Sequence, residues 1–191
     1  IMNLQKSTDV HFLNYEGPTY PTITGSNGYI FTYKNFRLNV FVTYSGGNKV
    51  RLDPMFRSSY SDLDATPKDF KNRWVLRGDE KVTDIPVMAS SFERNQYANL
   101  SIAYNSYNYS TARIASGAFV RLKEVSLSYD FPKEWLKSTP ISSVGLKIQG
   151  TNLALLYADS KLNGQDPEFF RSGGVSAPVP KQFTLTLKVG F

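Results

Sequence analysis

Cysteine is absent from the 191 residues, and histidine occurs once, at His11. Without a thiol there can be no disulfide, no thiolate metal site and no cysteine nucleophile, although the compartment stays open. A Ser-His-Asp triad needs a base held by an orienting carboxylate. His11 stands in an irregular polar stretch with no nucleophile motif in the chain, so catalysis by it is not expected. Long apolar runs are also missing, and nothing approaches the roughly 20 residues of a membrane helix. Hydrophobic residues make up 41% of the chain and the mean hydropathy is −0.32. Helical membrane proteins are thereby excluded, but barrels are not, because outward and inward residues alternate and cancel in any sliding window. No basic-then-apolar leader opens the chain, which starts Ile1-Met2-Asn3. An exported protein needs such a leader, so either it has been removed or these residues continue something longer; the second is the expectation. Clustered charge is missing too. The net charge is +6, but Lys and Arg are scattered, which reads as a solvated surface rather than a nucleic-acid face.

What the chain does have is aromatic residues, 12 Tyr and 13 Phe, and strict alternation near its end. In Phe183-Thr-Leu-Thr-Leu-Lys-Val-Gly-Phe191 the apolar residues Phe183, Leu185, Leu187, Val189 and Phe191 alternate with Thr184, Thr186, Lys188 and Gly190. A period of two means a β-strand with one apolar and one polar face. A final strand that stops on an aromatic of the apolar face has the pattern of the closing strand of an outer-membrane barrel. Lys188 is expected on the interior face, because a lipid-facing charge near mid-membrane costs about 2–4 kcal/mol.

Other segments repeat the pattern. Gly28-Tyr-Ile-Phe-Thr-Tyr33 and Phe36-Arg-Leu-Asn-Val-Phe-Val-Thr-Tyr44 flank a tight polar turn at Lys34-Asn35, which predicts a hairpin. Phe36, Leu38, Val40, Val42 and Tyr44 share one face of the second strand. After Gly46-Gly47 regularity is lost for about seventy residues rich in Tyr, Asn, Ser, Asp and Arg. It returns in a strand over 119–129, whose Arg121-Leu-Lys-Glu124 part keeps no phase and suggests a bulge. Asp130-Phe-Pro-Lys-Glu-Trp-Leu-Lys137 suits a helical turn with Pro132 near its start, and 144–152 alternates again. The connections are therefore short at 34–35 and 130–142 but long at 45–117 and 156–180. Membrane barrels keep short turns on one side of the bilayer and long loops on the other. The predicted fold is all-β, an antiparallel transmembrane β-barrel wall of about five strands. The short connections would be periplasmic and the long loops outside.

Few constellations suggest chemistry. Asp62-Leu-Asp64 with Asp69 lacks the glycine and distal Glu of a calcium loop. Asp159, Asn163, Asp166 and Glu168 lie in a Gly-containing loop that admits calcium, although solvation is the plainer reading. The sequons at Asn99 and Asn108 would carry no weight if the chain is a bacterial outer-membrane barrel. Tyr97, Tyr104, Tyr107 and Tyr109 could offer flat faces to a sugar, a peptide or a partner protein; self-packing of the loop or an interfacial girdle is the alternative. Trp74 and Arg77, with Asp79, invite a ligand reading against that of a structural corner. No catalytic residue, metal site or cofactor is expected.

Several stretches together resemble the C-terminal part of a SusC-like (SusC/RagA-type) TonB-dependent transporter from the outer membrane of Bacteroidota. They are Phe31-Thr-Tyr-Lys-Asn-Phe36, Asn72-Arg-Trp74, Gly78-Asp79, Thr83-Asp-Ile-Pro86 and Ser116-Gly-Ala-Phe-Val-Arg-Leu-Lys123. Leu127-Ser-Tyr129 followed by Pro132, Gly150-Thr-Asn-Leu153, Asp166-Pro-Glu168 and Pro180-Lys181 complete the set, which covers roughly residues 15 to 191. Val87 departs from it, since relatives often carry Arg there.

The resemblance implies that residues 1–191 are the C-terminal part of a plugged barrel of about 22 strands, the plug and earlier strands lying outside this chain. It implies import of a nutrient oligomer, a glycan or less often a peptide, and no enzymatic activity. The implied partners are a SusD-like surface lipoprotein, TonB with ExbB and ExbD through the missing N-terminal part, and the lipid and lipopolysaccharide of the outer membrane. The strand ending in Phe191 would also serve as a signal to the insertion machinery. Two other classes stay open: a soluble carbohydrate-binding β-sandwich, and a barrel that is a structural platform without transport.

Overall fold

A computed structural model describes residue 11 and residues 13–57, 66–170 and 179–191. The chain divides into two compact units, one of residues 1–17 and 49–115, the other of residues 18–48 and 116–191. The second unit contains a five-stranded sheet. Its strands are β1 (Ile23–Tyr33), β2 (Phe36–Gly46), β5 (Phe119–Asp130), β6 (Ser143–Ala158) and β7 (Gln182–Gly190), and they lie side by side in that order. Every pairing is antiparallel. A meander in which each strand pairs with the next is the topology of an up-and-down barrel wall.

Sequence alternation accounts for most of these strands. β1 and β2 are joined by Lys34 and Asn35 alone, and Lys34 takes a φ of 52°, the left-handed backbone that two-residue hairpin links require. The helical turn after β5 forms at Lys133–Leu136, with Pro132 just ahead of it. The phase loss around Arg121 is a pair of register shifts, between Val120 and Arg121 and between Leu122 and Glu124. A further shift between Phe41 and Val42 marks the same place on the β2 side. One extra residue lets Leu122 pair with Val42 although Glu124 pairs with Phe41, so the bulge restores the alternation that the raw sequence breaks. Close approach explains one glycine: a Cβ on Gly150 would lie 2.7 Å from Leu153 and 3.3 Å from the ring of its cross-strand partner Phe183.

The first unit contradicts the expectation of an irregular 45–117 segment. It holds the short strands β3 (Lys49–Arg51) and β4 (Ile114–Ser116), which pair with each other, and the helices α1 (Ser91–Gln96) and α2 (Leu100–Asn108). Its core is Met55, Phe56 and Ile85, with Phe70, Met88, Tyr104 and Tyr107 packed against them. Phe56 is the hub: its ring stacks on Tyr104 at 4.4 Å and meets Tyr107 edge-on at 5.6 Å. The helices are short and rich in Asn, Ser and Tyr, which are poor helix formers, so packing and capping sustain them rather than propensity. Ser90 and Glu93 form a reciprocal capping box at the start of α1.

Candidate functional site

Residues opposite one another in an antiparallel ladder point to the same face, so the registers define two complete surfaces. Phe31, Leu38, Leu127, Ile148 and Leu185 form one continuous row across all five strands. The neighbouring row on that face is Tyr33, Phe36, Tyr129, Leu146 and Leu187. Tyr29, Val40, Val125, Gly150 and Phe183 make a third. Fourteen of these fifteen residues are apolar or aromatic, and the exception is the glycine beneath Phe183. Several stay open to solvent, among them Phe183 at 75% and Leu185 at 69%. Such a contiguous apolar surface far exceeds what soluble monomers leave exposed.

The opposite surface is polar. Thr32, Arg37, Ser128, Lys147 and Thr186 form one of its rows, and Ile30, Asn39, Ser126, Gln149 and Thr184 the next. Asn39 Nδ2 donates to Ser126 Oγ at 3.1 Å, and Ser126 is fully buried. Near the end of the sheet where β2 leaves and β5 enters, Arg121 pairs in register with Thr43 and Leu155. Its Nη2 donates to both oxygens of Asp166 at 2.6 Å. An aromatic chain runs along the other end, from Phe36 through Tyr129 and Phe131 to Trp135, with centroid spacings of 4.6, 5.0 and 6.1 Å.

The candidate loop residues separate into two kinds. Tyr104 and Tyr107 are core residues of the first unit; the Tyr104 hydroxyl accepts from Ala89 N and donates to Val87 O. Burial raises the Tyr107 phenol above its ordinary value, with Arg113 opposing the shift. Tyr97 and Tyr109 are exposed, and the Arg51 guanidinium lies 5.5 Å from the Tyr109 ring. Trp74 Nε1 donates to Thr83 O at 2.7 Å and Trp74 N to Ile85 O at 3.0 Å, so the indole ties a corner. Inside that corner Asp79 Oδ2 accepts from Val75 N and Leu76 N. Arg77 is exposed beside it, as are Val75 and Leu76. A groove of about 610 Å³ runs along Ser101, Tyr104, Asn105 and Asn108, which share one face of α2. Asn108 is buried, with its amide oxygen and nitrogen both bonded to the backbone of residues 55 and 56, which blocks its sequon.

Among the described residues no group of three or more His, Cys, Asp or Glu gathers as a metal would require. Asp159 accepts from Ser116 N and Lys161 N, and Asp166 holds Arg121. Asp62 and Asp64 lie outside the described residues.

No family model matches the chain. A curated protein of Formosa agariphila, TonB-dependent receptor P3, is 29% identical over 136 residues, covering 71% of this chain and 12% of the relative. The RagAB peptide importer in its open-open state superposes with a TM-score of 0.65 at 21% identity, over 93% of this chain and 18% of that one. Its closed-closed state gives 0.64 at 20% identity with the same coverage. The chain shares the fold of a part of the RagAB importer, and its sequence is similar to part of a TonB-dependent receptor. This chain spans less than a fifth of either relative. By name these similar proteins are a receptor and a peptide importer, not enzymes.

Two features of this segment escape sequence reading. The pairing of Arg121 with Asp166 joins residues 45 positions apart, and only their placement in two of the resembling stretches hinted at it. The Asn108 anchor looks like a sequon in the sequence and carries no other signal. The cap of α1 yields a pH prediction. Hydrogen bonds from the Ser90 N–H and then the Ser90 hydroxyl hold the Glu93 carboxyl below its ordinary value of 4.5. A lowered folded-state value means stabilisation that is present above pH 4.5 and lost as pH falls through the lowered value. Protease cutting within 91–96 should therefore rise as the pH falls from 4.5 through the lowered value, and Glu93→Gln should show faster cutting at neutral pH with that rise gone.

Proposed function

We propose that residues 1–191 are the C-terminal wall segment of an outer-membrane, TonB-dependent transporter that imports a nutrient oligomer, a glycan in preference to a peptide. The observation that carries this reading is the pair of faces: three apolar rows across five strands, backed by polar rows. Lipid on one side and a polar passage on the other account for both. Phe183, Leu185, Leu187, Val189 and Phe191 then face lipid, with Thr184, Thr186 and Lys188 turned inward. Five strands cannot enclose a lumen, since closed membrane barrels start at eight or so, and an open edge in lipid leaves backbone groups unsatisfied. The remaining strands, the plug and the TonB-contacting segment therefore belong to the rest of the parent. A SusD-like surface lipoprotein is the proposed extracellular partner, and the exposed Arg77, Tyr97 and Tyr109, with Trp74 at the neighbouring corner, are the residues proposed to meet ligand or partner.

Orientation supplies the test. β1–β2 and β5–β6 are joined at one end of the sheet, and the long connections leave from the other. In a full-length parent, cysteine introduced at Ser101 should react with an impermeant maleimide on intact cells, whereas cysteine at Ser138 should react only after the outer membrane is opened. Labelling of Ser138 from outside would reverse the orientation. Equal labelling of both in a soluble fraction would favour a carbohydrate-binding module.

A further inference from the structure

We propose that residues 159–170 form an internal strap, latched onto the polar face of the wall by Arg121 and released as one unit when that latch opens. The segment follows β6 directly, and three of its ties bear on the latch. Asp159 Oδ2 accepts from Ser116 N at 2.7 Å at the start of the segment. Leu162, in the turn Ser160–Leu162, is 2% exposed. Asn163 and Gly164, at φ 54° and 86°, then reverse the chain and bring Asp166 to Arg121.

The third tie differs from the other two in kind. Arg121 and Asp166 are 3% and 2% exposed, so both charges have left water. Nη2 bonds both Asp166 oxygens at 2.6 Å, and Nε lies 3.2 Å from Glu168 Oε2 in an ionic contact without hydrogen-bond alignment. Asp166 Oδ1 also accepts from Glu168 N, which holds the two carboxylates in one turn. Arg121 stands on the polar face, opposite Thr43 and Leu155, at the bulged part of β5. The strap therefore covers the inner surface where the long connections leave. A buried ion pair adds little net stability over an apolar contact, yet removing one partner strands the other's charge. Such a contact specifies one docked position and favours complete release over partial loosening, which is the behaviour of a latch. The chain has no cysteine, and no metal cluster occurs among its described residues, so the ion cluster is the charged tie that sets the docked position.

This inference rests on the polar face being the passage side, but its test does not use transport. Hydrogen exchange is followed in the full-length parent in detergent micelles. Arg121→Gln should speed exchange across 160–170 by about a hundredfold or more, all its amides moving together, while β5 and β6 amides stay slow. Arg121→Lys, which keeps the charge but loses the fork, should fall between. If Arg121→Gln does not assemble, Asp166→Asn should give the same pattern at about tenfold. Unchanged exchange in 160–170, amide-by-amide rates without common opening, or equal acceleration of β5 and β6 would each overturn the latch. Absence of nutrient uptake by the parent would instead count against the transport reading alone.

Discussion

Leu185→Arg in the full-length parent is expected to cost about 2–4 kcal/mol of barrel stability, while Thr184→Arg beside it costs under about 0.5 kcal/mol. Leu185 ends the row that runs from Phe31 through Leu38, Leu127 and Ile148. It is 69% exposed, and in water an arginine at so open a position would be nearly neutral. The whole penalty comes from lipid, which cannot solvate the guanidinium. Thr184 sits in the polar row with Asn39, Ser126 and Gln149, where water and partners are at hand. Folded yield in outer-membrane fractions and the melting temperature of the purified barrel measure the contrast. Equal tolerance of both changes would mean that the apolar face meets water or protein, as in a soluble module.

Asn108→Leu is expected to loosen the 49–115 unit by about 3 kcal/mol or more while leaving the wall intact. The change nearly conserves volume but strips three hydrogen bonds. Asn108 Oδ1 accepts from Met55 N at 2.9 Å and Phe56 N at 3.1 Å, and Nδ2 donates to Phe56 O at 2.7 Å. All three bonds are buried, and withdrawing the Asn108 partner from these backbone groups of residues 55 and 56 costs about 1–3 kcal/mol each. Those residues place the Phe56 ring between Tyr104, Tyr107 and Phe70. Limited proteolysis of the full-length protein should show faster cutting within 49–115 at an unchanged barrel melting temperature. Undiminished protection would mean that the aromatic stack alone organises the unit.

How far the sequence could be read follows the same division. In the wall, each strand carries its own evidence, because a membrane strand must alternate whatever its neighbours do. Phe36 to Tyr44 and Phe183 to Val189 could be assigned to faces one by one, and the observed registers place them together. Boundaries were less legible. β1 begins at Ile23 rather than Gly28, and β6 continues to Ala158 rather than stopping near Asn152, which takes a φ of 53° within it. Glycine, asparagine and threonine look like turn residues, but ladder bonds to a partner strand hold them extended.

The loop unit shows the opposite case. Its helices lack an apolar stripe at helical spacing: Ser101, Tyr104, Asn105 and Asn108 line one face of α2, and Asn108 is its buried residue. A polar residue becomes a core residue only when the groups that satisfy it arrive from elsewhere, here from positions 52 and 53 residues away. The same holds for Arg121, whose buried charge is met there by Asp166 and Glu168.

By itself the sequence determined the antiparallel wall, its two faces and the unequal connections, because an alternating pattern is a local property that any strand neighbour preserves. Tertiary structure alone decided which buried polar groups become anchors, how the bulge at residues 120–124 rephases β5, and that the 49–115 segment has a core of its own. These depend on partners distant in sequence, and the cost of burying a polar group is set by whether such a partner arrives.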